Sequence, residues 1–300
     1  MKIVKPIAMT AGMLTAHSIA ETDYAAWGGA TTYAAGDHVI STATHRIYES
    51  AAAGNIAHDP TTDDGTWWVD IAPTTRWAMF DGAVGSVSSA ASTIVVTLTP
   101  GQIIDSLVLL DVTAASVEIE MLDEAAGGVV YAETYDLTGA VVIDDWWLYF
   151  TEPFGDPVPY VAVTDLPAYY SGEITVAISG SGTVSVGTLA IGRATDLGDT
   201  ERLGSRIGIV DYSRKTTDDF GVTTLTERAY AKRASVPIVI NNDRLDVVAR
   251  ALAAIRATAV IFISNQGFDA LVIYGWLREW GVVIAYSDQS ELSLDIEGLT

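Results

Sequence analysis

From Ser92 onward, apolar and polar positions alternate in short β-branched runs that end at turn residues. Ser92–Thr99 closes at Pro100-Gly101, and a second apolar run follows from Ile104 to Leu110. In Val117-Glu-Ile-Glu-Met121 the alternation is strict, which places Glu118 and Glu120 on one face of a strand and the apolar side chains on the other. Gly127-Gly128 marks a turn. Further strands are expected at Val129–Tyr135, Trp146–Thr151, Gly172–Ser179 and Thr183–Ile191. About seven short strands with no helical period between them predict a β-sandwich. Phe80-Asp81-Gly82 near its start and the Gly/Ser-rich final strands suit a jelly roll.

The pattern changes in the last third. Asn242-Asp243 offers an N-cap, and Leu245, Val248, Leu252 and Ile255 recur on one helical stripe, with Arg250 and Arg256 outside it. Strands are expected on both sides, at Ser235–Ile240 and Ala259–Ser264, and then at Leu271–Trp280, Val282–Tyr286 and Leu292–Ile296. A strand–helix–strand core with added antiparallel strands is an α+β domain. At the front, residues 20–75 read as short strands punctuated by Trp27, Tyr33, Tyr48, Trp67 and Trp68. So small a module needs large rings to build a core. The fold class is therefore mainly β with a C-terminal α+β part. Its expected domains are residues 1–75, an aromatic-rich β module with an N-terminal arm; 76–195, the β-sandwich; and 196–300, the α+β domain.

Charge sharpens this division. The 300 residues carry 16 Lys and Arg against 38 Asp and Glu, a net charge of −22. Residues 76–195 hold only two basic residues, Arg76 and Arg193, whereas residues 196–300 hold eleven. So acidic a chain repels phosphate backbones and anionic lipid, so neither nucleic acid nor a membrane surface is an expected partner. The longest uncharged stretch, Gly82–Ile104, is too rich in Gly, Ser and Thr to be a spanning helix. Lys2 and Lys5 precede a mildly apolar run that superficially resembles a signal peptide, but Thr10, Thr15, His17 and Ser18 interrupt it. With no cysteine, the chain has no disulfide, no thiolate nucleophile and no cysteine zinc site.

Catalytic patterns are sparse. All four histidines, His17, His38, His45 and His58, precede residue 60, so a Ser-His-Asp triad in a later domain would have to borrow one. Ser179-Gly-Ser-Gly182 lacks the leading glycine of a nucleophile elbow and reads as a turn. No phosphate-binding loop or His-Glu-x-x-His helix occurs. Paired acids are the remaining route, since a glycosidase needs two carboxylates about 5–10 Å apart in a cleft. The candidates are Glu118 with Glu120, Asp144-Asp145 beside Trp146-Trp147, and Asp63-Asp64 beside Trp67-Trp68. Each also has an ordinary reading as a solvated strand face or a turn. Asp59, Asp63 and Asp64 share one loop, but their spacing does not match a helix–loop–helix calcium site. No catalytic residue, metal or cofactor is expected.

Two resemblances add to this. The order Trp27, Tyr33, Gly36-Asp37-x-Val39, Tyr48, Gly54-Asn55, Pro60, Trp67-Trp68 resembles the small carbohydrate-binding modules of chitinases and cellulases. The resemblance implies glycan binding by Trp27, Tyr33, Tyr48, Trp67 and Trp68. It departs from the family at Ser50-Ala51-Ala52-Ala53, where the family's sugar-contacting ring usually lies. That module, running into Pro73-Thr-Thr-Arg-Trp-Ala-Met-Phe-Asp81, with Ile209–Lys215 and Thr226–Lys232, is similar to tail-tip or baseplate proteins of tailed bacteriophages. The likeness covers most of the chain. It implies a non-enzymatic structural protein of the virion tail, partnered by other copies of itself and by other tail or baseplate proteins, with contact to a host-surface glycan as an added role. A carbohydrate-binding protein or glycosidase accessory chain is the alternative. On the tail-protein reading the basic C-terminal residues Arg214, Lys215, Arg228, Lys232 and Arg233, with Trp276, Arg278 and Trp280, are candidates for an assembly interface. The two tryptophans suit either a helix face or a strand end, and either an anchor or core packing.

Overall fold

A computed structural model describes residues 1–123, 127–139, 145–151, 155–265, 267–284 and 286–299. In chain order the strands are β1 (Lys2–Pro6), β2 (Leu14–His17), β3 (His38–Ser41), β4 (Arg46–Ser50), β5 (Trp68–Pro73), β6 (Ser88–Ala90), β7 (Thr93–Leu98), β8 (Ser106–Thr113), β9 (Ser116–Asp123) and β10 (Gly128–Asp136). Helix α1 (Trp146–Thr151) follows, then β11 (Tyr160–Val163), β12 (Gly172–Ser179), β13 (Val184–Asp196), β14 (Asp199–Thr200), β15 (Arg206–Asp211), β16 (Arg214–Thr217), β17 (Thr223–Thr226) and β18 (Tyr230–Asn241). Helix α2 (Leu245–Ala254), β19 (Val260–Ile263), β20 (Val272–Val283) and β21 (Gln289–Gly298) complete the chain. The fold is mainly β, and among the described residues the one longer helix lies near the C-terminus. The chain divides into two compact units: Ala8–Ala190, and a second made of Met1–Ile7 with Ile191–Thr300.

The unit Ala8–Ala190 is sandwich-like. Its five-stranded antiparallel sheet runs β10-β9-β12-β7-β2, and β11 and β8 pair in another sheet with β13. The alternation read in Val117–Met121 holds: Val117, Ile119 and Met121 are buried while Glu118 is exposed. Ile94, Val96, Leu98, Ile174, Val176 and Ile178 line the same inner face from the neighbouring strands. A separate three-stranded sheet, β3-β4-β5, forms the aromatic module. One expected strand is corrected. Trp146–Thr151 forms α1, in which the Thr151 hydroxyl bonds back to the Trp147 carbonyl at 2.7 Å. Consecutive apolar residues there do not alternate, so nothing in the pattern demands a strand over a single helical turn.

In the other unit, β18 and β21 pair in register from Arg233↔Glu297 to Asn241↔Gln289, and β20 pairs along β21. The core side of this sheet presents Val236, Ile238, Ile240, Leu292, Leu294 and Ile296 to α2, whose Val248 and Leu252 are buried in the same cluster as Ile255. The stripe read from the sequence thus faces the core. Asn241 caps the helical entry by accepting from the Asp243 N–H at 3.0 Å. The first residues complete this unit. β1 pairs with the last part of β13 (Lys2↔Asp196) and with β19 (Lys2↔Ile263), and the Met1 amino group bonds to the Gly198 carbonyl. Only glycine fits at 198, where φ is +131° and a Cβ would lie 2.3 Å from the Val239 carbonyl oxygen.

Candidate functional site

The five candidate glycan-binding rings lie together, and they build the aromatic module. Tyr48 and Trp68 are buried with Val39, and Trp27, Tyr33 and Trp67 pack against them. Trp68 meets Tyr33 edge to face at 5.1 Å, and its indole N–H donates to the His58 carbonyl at 2.8 Å. Trp67 is covered on one face by His58, stacked at 4.1 Å. The Tyr33 hydroxyl accepts from the Gly28 N–H at 2.8 Å, and the Tyr48 hydroxyl lies 3.0 Å from that of Thr44. Packing thus engages all five rings, and a side-chain hydrogen bond or ring stacking adds to it for each except Trp27.

The acidic loop beneath these rings is occupied by its own backbone. Asp63 Oδ2 accepts from the N–H groups of Gly65, Trp67 and Trp68 at 2.9–3.0 Å. Desolvation opposes ionisation there, but these donors outweigh it and hold the carboxyl below its usual value. Asp59 accepts from Thr61, and Asp64 from Thr66. Among the described residues no group of three His, Asp or Glu is gathered for a metal ion. Of the other acid pairs, Glu118 and Glu120 share the outer face of the five-stranded sheet, and Asp144 lies outside the described residues.

The histidines are also engaged. His45 Nδ1 lies 2.9 Å from Glu21, and its ring stacks on Trp77 at 4.1 Å. His38 lies 3.4 Å from Glu49 and stacks on Tyr24. The Ile19 N–H donates to His17 Nδ1. Burial, helped by the charge of Arg76, pushes His17 down to about 4, so the ring is neutral at pH 7.

The basic candidates form a different kind of site. Arg214, Lys215, Arg228, Lys232 and Arg233 all fall on one β-arm. Strand β15 pairs with the first half of β18 (Arg206↔Ser235 to Asp211↔Tyr230), and the excursion between them continues as the hairpin β16–β17 (Arg214↔Thr226 to Thr217↔Thr223). At the tip, Asp218 Oδ1 accepts from the N–H groups of Phe220 and Val222, and Gly221 takes φ +82° to close the turn. Every residue from 211 to 230 is exposed, including Phe220 at 93%, Leu225 at 76% and Tyr230 at 55%. Nothing in the strand or turn chemistry of this segment requires so much apolar exposure. A two-stranded ribbon without a packed face is marginally stable on its own, so such an arm calls for a partner.

Of the remaining candidates, Trp276 and Trp280 lie on strand β20, with a bulge between Leu277 and Glu279, so their four-residue interval is not a helix face. Both rings are exposed, at 39% and 37%, while Arg278 pairs internally with Glu297 at 3.0 Å. At the foot of the arm an open trough of about 860 Å³ is bordered by Glu201, Arg206, Ile209, Arg233 and Asp295. Sequence reading named the cations of the arm but missed its apolar part, Ile207, Ile209, Phe220 and Leu225. The available signal was an apolar residue beside each cluster of Thr, Asp and Gly between Arg206 and Tyr230. No protein-family model matches the chain, and no curated protein matches it in sequence.

Proposed function

We propose that this chain is a structural component of a bacteriophage tail tip or baseplate, without enzymatic turnover. It would assemble around the tail axis through its C-terminal unit and display its β modules outward. The observation that carries this reading is the arm: a fully exposed ribbon that joins unpaired cations to uncovered Phe, Leu, Ile and Tyr side chains, as an assembly contact needs. Its partners on this reading are further copies of the chain and neighbouring tail proteins. An arm on one surface that grips a different surface of the next copy is a heterologous contact, the kind that closes rings. The likeness of residue order to tail-tip proteins supplies the setting. The alternative, recognition of a cell-surface polysaccharide, has less support, because Tyr48 and Trp68 are buried in their own module and Trp27, Tyr33 and Trp67 pack against them.

The test is electron microscopy of intact phage particles decorated with antibody against this chain. Label at the tail end is the expected result, and particles that contain the chain nowhere would overturn the reading. Wild-type chain that binds across a glycan array, and loses binding on Trp27→Ala with folding intact, would support the alternative.

A further inference from the structure

The arm's cations form no ion pair among the described residues: none holds Arg206, Arg214, Lys215, Arg228, Lys232 or Arg233, although the chain has 38 carboxylates. The central ladder is the clearest part. Arg214-Lys-Thr-Thr217 and Thr223-Thr-Leu-Thr226 contain two cations, five threonines and one leucine, and no carboxylate. Such a ladder seeks a surface with acid groups, hydroxyls and some apolar area.

That surface exists on the other unit. Ala8–Ala190 carries two basic residues against 23 acidic ones; of the two, Arg46 is already paired with Asp70 at 2.7 Å and Arg76 has its Nε buried. None of the five strands β10-β9-β12-β7-β2 contains a Lys or Arg. On their outer face Glu118 and Glu120 of β9 neighbour Ala177 and Thr175 of β12, and Glu173 neighbours Leu122. Thr97 and Thr175 meet across the strands at 3.3 Å. No ion pair among the described residues holds Glu118, Glu120 or Glu173. The sizes also agree. A four-residue strand spans roughly 10–13 Å, enough to cross β9, β12 and β7 at about 4.8 Å spacing.

We infer that the β16–β17 arm of one copy seats on the acidic outer face of the five-stranded sheet of a second copy, so that this one face is covered while the rest of the β modules stays displayed outward. Lys215 shares a face of the ribbon with Leu225, so it would meet the Glu118, Glu120 and Glu173 surface as Leu225 covers Leu122. Arg214 on the opposite face and Arg228 beyond the ladder add to the charge attraction. This rests on the proposed assembly role and names its partner. The contact is heterologous, so each copy offers one arm and one face, and association propagates from copy to copy. A phosphate backbone is a poorer occupant, because Asp211, Asp218, Asp219 and Glu227 are interleaved along the same arm. Mixed charge of this kind sets the register between protein surfaces.

The experiment uses the full chain. In sedimentation velocity the wild type is expected to self-associate, more weakly as salt rises. Arg214→Glu with Lys215→Glu and Arg228→Glu is expected to weaken association at least tenfold while the circular dichroism spectrum is kept. Mixing that variant with Glu118→Arg/Glu120→Arg/Glu173→Arg is expected to restore it. Because the chain has no cysteine, Leu225→Cys with Leu122→Cys gives an independent readout: oxidation is expected to yield a ladder of linked copies. A monomeric wild type, unchanged association in the arm variant, or linkage only within single chains would each overturn the proposal. Those results leave the antibody localisation intact, whereas unlabelled particles would remove the tail setting and leave restored pairing standing.

Discussion

The aromatic module and the β-arm both stood out in the sequence as candidate surfaces, and the fold uses them in opposite ways. In the module, Tyr48 and Trp68 are buried, Tyr33 and Trp67 are packed, and Tyr33, Tyr48 and Trp68 satisfy their polar atoms locally. In the arm, twenty consecutive residues are exposed, and among the described residues its cations form no ion pair. The difference teaches how to separate structural from functional signals. A ring or charge that completes its contacts inside its own element is accounted for by folding. One that does not is available to a partner.

That contrast can be broken by mutation. The largest expected effect is in the module: Trp68→Ala removes its main core side chain and is expected to cost about 3–5 kcal/mol. Reduced near-ultraviolet circular dichroism of the full chain together with a lowered thermal midpoint would show it. A module that stayed folded would mean the rings are free for other work. Tyr33→Phe is expected to cost about 1 kcal/mol in chemical denaturation, because the Gly28 N–H loses its acceptor.

Acid provides a smaller and more selective test. The Asp63 carboxyl is held below its usual value in the folded state, so the stability it contributes is complete above about pH 4 and disappears as pH falls further. Asp63→Asn is expected to flatten the acid limb of a stability–pH profile, and a profile as steep as that of the wild type would show that its three N–H contacts contribute little. The smallest effect is expected in the arm. Replacing residues 213–228 by Asn-Gly joins Tyr212 to Ala229, whose backbones are already bonded at 3.3 Å. The free energy of unfolding is expected to change by less than about 0.5 kcal/mol while self-association is lost. A large loss of stability would make the arm part of the fold, and the contrast would fail.

Reading from sequence succeeded where the signal was local. The strict alternation of Val117–Met121 and the stripe of Leu245, Val248, Leu252 and Ile255 repeat with the period of their own element, and each element buried the face its pattern indicated. Trp146–Thr151 failed because a run of large apolar residues carries no period. The strand Lys2–Pro6 was invisible as part of the C-terminal unit, because its partners Asp196 and Ile263 are remote in sequence.

By itself, the sequence determined a mainly β chain with one amphipathic helix, an almost cation-free acidic region and a C-terminal stretch rich in Lys and Arg. Periodicity and charge are properties of neighbouring residues, so no tertiary contact is needed to read them. Only the tertiary structure decided that Trp68 is core while Phe220 is bare, and that Arg214, Lys215 and Arg228 share one ribbon. Burial and ion pairing depend on which distant strands come together, and residue order along the chain does not encode that locally.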